Sequence, residues 1–224
     1  MATRIVVMGA HPGTIRAVLD NPLSYPRQEH HPDFLILSQK LHALVTQTMM
    51  PETPTTVSPT GVRRPLIQSL PNVSVGNTTG LLEVLEHEGE MELFELTYHV
   101  DVEFTQLLLV VKAAELLGWV ATPGSRVEMT PEGRRFLAAD VNARKHLLQA
   151  RLREVFVFKL IVQMLEHSEN GEVDEEFVLT QLTLHFPQER PQRILRTLIG
   201  WGRYAELFKY NSTRKVLYGL PAGQ

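Results

Sequence analysis

The first histidine of the chain, His11, sits in the turn "GAHPG" directly behind the apolar run Ile5 to Met8. An imidazole at the end of a strand is well placed to reach a metal. Zinc-dependent hydrolysis there would need carboxylates directly after the proline, to complete the ligand set and act as base. Gly13 and Thr14 stand in those places, so the stretch holds no metal and reads as a structural turn. A phosphate loop must end in Gly-Lys-Ser/Thr, and the chain contains no Gly-Lys dipeptide. A turn that leads into a second strand also offers no helix N-terminus to a pyrophosphate. His30, His31 and Asp33 form a second potential ligand set, but adjacent histidines on irregular backbone point apart and no fourth ligand accompanies them. The carboxylates of "EVLEHEGEMELFE" fall at helix-surface spacing and read as a solvated face. No nucleophile elbow is present, and with no cysteine in the chain thiolate chemistry and disulfides are excluded. The expectation is a protein with no catalytic residue, no metal and no cofactor.

The remaining candidates do recognition rather than catalysis. Arg190, Arg193 and Arg196 are spaced three apart in a helical segment and make one basic stripe. Lys209, Arg214 and Lys215 add charge on the hairpin that follows. Guanidinium groups pair with phosphate or carboxylate through parallel hydrogen bonds, so the stripe suits either a nucleic acid backbone or an acidic protein surface. An earlier helical segment, residues 102–117, is apolar nearly all round with Lys112 its only cation. Such a helix is buried and cannot present donors to base edges.

These residues need a scaffold, and the pattern supplies one. Residues 3–8 and 14–19 read as two strands around the opening turn. Phe34, Leu37, Leu41, Leu44 and Val45 recur at helical spacing behind Pro32-Asp33. Residues 49–77, rich in Pro, Thr and Ser, read as a linker. Beyond them one plan occurs twice: three helical segments, then a hairpin. The first unit, 78–141, turns at Pro123-Gly124-Ser125, and the second, 142–224, turns near Asn211-Ser212. In each, a Gly-Trp pair (Gly118-Trp119, Gly200-Trp201) marks the expected passage from the third helix to the hairpin. "PEGRRFLAADVNARKHLLQARLREVF" reads as one helix with Thr130 as its cap. The fold class is α+β, mainly helical: two tandem winged-helix-like units after a short β-hairpin plus helix segment.

The net charge of −3 over 224 residues gives no overall attraction to nucleic acid or an anionic membrane, but the charge is unevenly spread. Residues 78–140 hold 4 Lys and Arg against 12 Asp and Glu, whereas residues 187–224 hold 7 against 2. Such asymmetry suits docking, either onto a partner or within the molecule. The longest apolar stretch, "LLLVVKAAELLGWV", is interrupted by Lys112 and Glu115 and is too short to span a bilayer.

From about Gly80 to Leu220 the chain resembles the C-terminal AAA-associated domain. That domain follows the ATPase in some bacterial and archaeal ABC transporters of the nitrate/sulfonate/taurine/bicarbonate type. The matching segments are "KAAELLGWV", "TPEGRRFLAADVNARK" and "IGWGRYAELFKYN". In the last, Trp201, Gly202, Arg203, Tyr204, Glu206 and Phe208 stand where the family's motif has them, which makes them interface candidates. Residues 1–48 resemble the last strands and helix of the same transporter ATPase, on the matches Pro12-Gly13, Pro26-Arg27 and Pro32-Asp33-Phe34. The P-loop, signature motif and switch histidine of that ATPase do not occur, so the resemblance implies a truncated or split relative, or a C-terminal fragment, that does not hydrolyse ATP itself. It further implies a cytoplasmic regulatory or interaction domain, held at the inner membrane through a transporter complex and not inserted. Its partner would be a transporter subunit or a second copy, as a homo-oligomer. DNA regulation through the arginine stripe is the alternative, and a small anion sensed between the two units is a third.

Overall fold

The structure, a computed structural model, describes residues 3–8, 15–23, 25, 31–49, 70–100, 102–124 and 126–219. The opening turn at 9–14, His30, the Pro26-Arg27 match, Ser125, Leu220 and linker positions 50–69 lie outside the described residues.

Strands β1 (Arg4–Met8) and β2 (Ile15–Asp20) pair antiparallel, with Val6 opposite Val18 and a register slip at Val7/Met8. Helix α1 (Pro32–Met49) follows. Its periodic positions Phe34, Leu37, Leu41 and Leu44 are half-buried, while Leu35 and Ile36 face outward. Of the hairpin's described side chains only Val7 is buried.

The main body is built from one element order used twice. First come α2 (Val75–Glu88), β3 (Met91–Glu92), α3 (Leu93–His99), α4 (Phe104–Leu116), β4 (Val120–Ala121) and β5 (Arg126–Met129). After α5 (Pro131–Ala138) and α6 (Val141–Leu152) the order returns as α7 (Phe156–His167), β6 (Glu172–Asp174), α8 (Glu175–His185), α9 (Pro191–Tyr204), β7 (Phe208–Asn211) and β8 (Val216–Gly219). Each set forms a three-stranded antiparallel sheet in which the last strand is central: β3-β5-β4 and β6-β8-β7. The architecture is α+β and mainly helical.

Local chemistry sets the boundaries. Ser74 starts α2 through a capping box, its hydroxyl accepting from the Asn77 N–H at 3.1 Å while Asn77 Oδ1 accepts from the Ser74 N–H at 3.1 Å. The helix therefore begins inside the segment that composition assigns to a linker, and Leu70 and Val73 ahead of it are buried. The expected single helix after Thr130 is two helices, because Asp140 accepts from the Asn142 and Ala143 N–H groups and restarts the chain as α6. The Gly-Trp pairs are not equivalent. Gly118 lies just past α4 at φ +71, where a glycine is favoured, but Gly200 lies inside α9, which runs on to Tyr204. The left-handed residue that ends α9 is Glu206, at φ +52.

One continuous apolar core runs through both halves, from Leu70 to Leu217. Its aromatic centres are Trp119 stacked on Phe136, with centroids 3.9 Å apart, and Phe158 beside Trp201 and Phe208. The apolar helix α4 is core, as its composition requires: Leu107, Leu108, Val110 and Val111 are all buried. Lys112 on it is half-buried, and burial pushes its ammonium below the ordinary lysine range, with Glu115 opposing the shift.

Candidate docking surface

Helix α9 separates its residues into two faces. Ile194, Leu195, Thr197, Leu198, Trp201 and Gly202 are buried, whereas Arg193, Arg196 and Arg203 are exposed. Positions 193, 196 and 203 fall on one side of a 3.6-residue helix, so the stripe expected from Arg190, Arg193 and Arg196 continues to Arg203, over about 15 Å of axis. Arg190 occupies the N-cap position, and no acidic residue stands in the first turn. Cations near the positive end of a helix dipole are mutually and locally unfavourable. None of the four guanidinium groups takes part in an ion pair among the described residues. Among the described residues the stripe is therefore not docked on the molecule's own acidic half, and its four side chains are exposed.

The hairpin charges behave differently. Lys209 on β7 is exposed. Arg214 is already engaged, donating from both terminal nitrogens to Glu172 of β6 at 2.8 and 2.5 Å. Lys215 holds a left-handed turn at φ +53, and its carbonyl accepts from the Glu175 N–H at 2.8 Å. Arg214 thus ties the hairpin to the neighbouring strand. Its hydrogen bond holds the Glu172 carboxyl below the usual range, with the Arg214 charge adding to that effect against an opposing one from burial. A carboxyl depressed in the folded state stabilises above its unfolded pKa, and that contribution is lost as pH falls through the folded value. Thermal unfolding of Arg214→Ala should therefore fall less steeply than that of the parent between about pH 5 and pH 3. Parallel melting curves over that range would show that the pair contributes nothing.

The motif residues 201–208 divide by role. Trp201 is 1% exposed, and its Nε1–H donates to the Val73 carbonyl at 2.8 Å. Thr197, one turn earlier, donates to Asn72 Oδ1 at 3.2 Å. Gly202 lies under the ring of Phe208, where an added Cβ would meet ring carbons at 2.2, 2.6 and 2.7 Å. Trp201, Gly202 and Phe208 are therefore core residues and not an exposed interface, while Arg203 and Tyr204 reach the surface. Glu206 pairs with Lys145 of α6 at 2.6 Å, and that hydrogen bond holds its carboxyl below the usual range.

Sequence reasoning missed α6 as the element that ties the two halves. Gln149 donates to the carbonyls of Ala205 and Glu206 at 3.2 and 3.0 Å, beyond the C-terminus of α9. Arg151 Nε donates to the Leu117 carbonyl at 2.8 Å, at the C-terminus of α4. One helix thus supplies donors to the negative ends of both third helices, with Lys145 adding a cation beside the end of α9. The run "ARKHLLQAR" carried the signal, because basic and amide groups recur there at spacings that reach both sides of one helix.

Two other expectations can be placed. His31 Nδ1 and Asp33 Oδ2 are 3.6 Å apart on the surface, and among the described residues no group of three or more His, Cys, Asp or Glu could hold a metal. A cleft of about 410 Å³ lies between the start of α2 and α9, with Asn72, Gln106, Arg196 and Tyr204 on its walls. It is where the halves meet, and Asn72, Arg196 and Tyr204 on its walls are exposed.

With this geometry in place, the comparison with known families identifies an α+β, mainly helical domain of a defined kind. Residues 94–211 match the C-terminal AAA-associated domain, and the chain belongs to that family. The match runs from α3 to the end of β7 and so contains α9 and the motif at 201–208. The family ties the chain to an ATPase. No curated protein and no solved structure matches it.

Proposed function

We propose that this chain is a non-enzymatic regulatory or interaction module of an ATP-binding subunit, of the kind found in nitrate/sulfonate-type ABC importers. Membership of the AAA-associated family is the observation that carries this reading. In it, each repeated helix, strand, helix, helix, strand, strand set is a winged helix, a reading supported by the shared strand order with the last strand central. Residues 1–48 correspond to the closing strands and helix of the ATPase domain. Apolar side chains on both faces of β1 and β2 support this, since such strands belong in a sheet covered on both sides. The module works in the cytoplasm, at the inner face of the membrane through its complex. No helix among the described residues is long and apolar enough to cross a bilayer.

The test is to mix the chain with the ATP-binding subunit of such an importer and measure binding and hydrolysis. Binding that changes the subunit's ATPase rate, with no hydrolysis by the chain alone, is the expected result. Hydrolysis by the chain alone, or no interaction with any such subunit, would refute the reading.

The open arginine face of α9 supports a second reading, in which the second winged helix contacts DNA phosphates. Fluorescence anisotropy of labelled generic duplex should then show binding that weakens steeply with salt. Replacing Arg190, Arg193 and Arg196 with alanine would flatten the salt slope by up to about three, roughly one for each phosphate that the variant no longer neutralises. Absence of binding at low salt removes DNA as the target and leaves the stripe to an acidic protein surface.

A further inference from the structure

The N-terminal hairpin is thinly covered. Val6, Met8, Ile15 and Val18 on its outer face are 50%, 62%, 64% and 52% exposed. Two-stranded ribbons are marginal on their own, and among the described residues neither outer edge of this one is paired with another strand. We infer that the occupant of the β2 edge is β2 of a second copy, paired antiparallel about a two-fold axis at Val18.

The backbone phase comes first. The Asn21 N–H donates to the Thr3 carbonyl at 2.8 Å, which makes Thr3 and Asn21 a hydrogen-bonded pair. The register then gives Ile5 with Leu19 and Val7 with Ala17 the same phase. The N–H and C=O groups of Val18 and Asp20 consequently point away from β1, free to accept another strand. Arg16 is the extra residue at the register slip and lies at the end of this run.

Side-chain chemistry selects the partner. With Val18 on the two-fold axis, Val18 meets its counterpart, and each Arg16 opposes Asp20 of the other copy. All three residues are exposed, and Val18 and Asp20 share the outer face. Moving the axis to Leu19, a slide of two residues, sets Asp20 opposite Val18 and leaves Arg16 opposite Pro22, without a carboxylate. The β1 edge has no comparable match: pairing about Val6 sets Arg4 against Met8, and α1 packs against β1. Opposite charges across strands favour pairing, and like charges oppose it. A self-complementary edge of this kind closes a symmetric dimer, with a four-stranded sheet in the order β1-β2-β2-β1.

Because the chain contains no cysteine, a single introduced thiol reports the contact cleanly. Facing residues of a hydrogen-bonded antiparallel pair have Cα atoms about 5.5 Å apart, within disulfide reach. Under mild oxidation the full chain carrying Val18→Cys should cross-link to a dimer, whereas Val6→Cys should not. Sedimentation of the parent should show a dimer. Arg16→Asp and Asp20→Arg should each weaken it about tenfold or more, because each change places two like-charge pairs across the interface. The double variant Arg16→Asp/Asp20→Arg should restore it. These exposed substitutions spare the main core, so circular dichroism should be unchanged. A monomer throughout the micromolar range, a dimer insensitive to both reversals, failure of the double variant to rescue, or faster cross-linking at Val6 than at Val18 would each overturn the inference.

Discussion

Gly202→Ala should destabilise the protein by about 3 kcal/mol or more in urea unfolding, although it adds a single methyl group. Alanine usually improves a helix interior by up to about 1 kcal/mol over glycine, so the sign is set by packing. The new Cβ would lie 2.2 Å from the Phe208 ring edge. That ring has nowhere to go, being fully buried beside Phe158. The mechanism has its own signature. Phe208→Leu alone opens a cavity and destabilises the fold, but it also vacates the space that the new methyl needs. The double variant Gly202→Ala/Phe208→Leu should therefore be more stable than the sum of the single effects by about 1 kcal/mol or more. Additive effects, or a Gly202→Ala variant as stable as the parent, would show that α9 does not sit on Phe208.

Trp201 gives the second large effect. Trp201→Ala should cost about 3–5 kcal/mol through the cavity left at the centre of the second half. Trp201→Phe keeps most of the volume but leaves the buried Val73 carbonyl without its donor, for about 1–3 kcal/mol. The location of the loss separates this from general loosening. Amide exchange after Trp201→Phe should accelerate first at residues 72–78, because the Trp201 bond fastens the segment that leads into α2. Uniform acceleration across α5 and α8 would mean that the bond to Val73 does not hold the two halves together.

Much of the fold was legible because its helices are apolar or amphipathic segments with clear ends. α1 falls where apolar periodicity puts it, α4, α7 and α8 fall on the helical segments read between the turns, and β4, β5, β7 and β8 flank the Gly, Asn and Ser clusters. Strands β3 and β6 were not legible. At two and three residues they carry no alternation, and they exist because the hairpin behind each offers a central strand to pair with. The Gly-Trp pairs misled for a similar reason. A glycine near a helix end suggests a left-handed turn, yet α9 continues through Gly200 and assigns that turn to Glu206, held from outside by Lys145 and Gln149.

The arginine stripe was legible as spacing alone. Its extension to Arg203 needed the true length of α9, and the engagement of Arg214 needed the strand that sequence could not reveal. The motif at 201–208 teaches the converse. Three of its six candidate positions are there to pack, so a match to that motif reports the build of the core more than the identity of a partner.

The bond from Trp201 to Val73 also fixes how a pull would travel through the molecule. Val73 precedes the whole first unit in the chain, yet it is anchored to the last helix of the second. Tension arriving along the chain from the N-terminal side therefore reaches α9 before it strains α4, α5 or α6. The element first tugged is the one that displays the open arginines. A stroke upstream of Val73 would be felt there first, as a pull on the helix that carries the charged face.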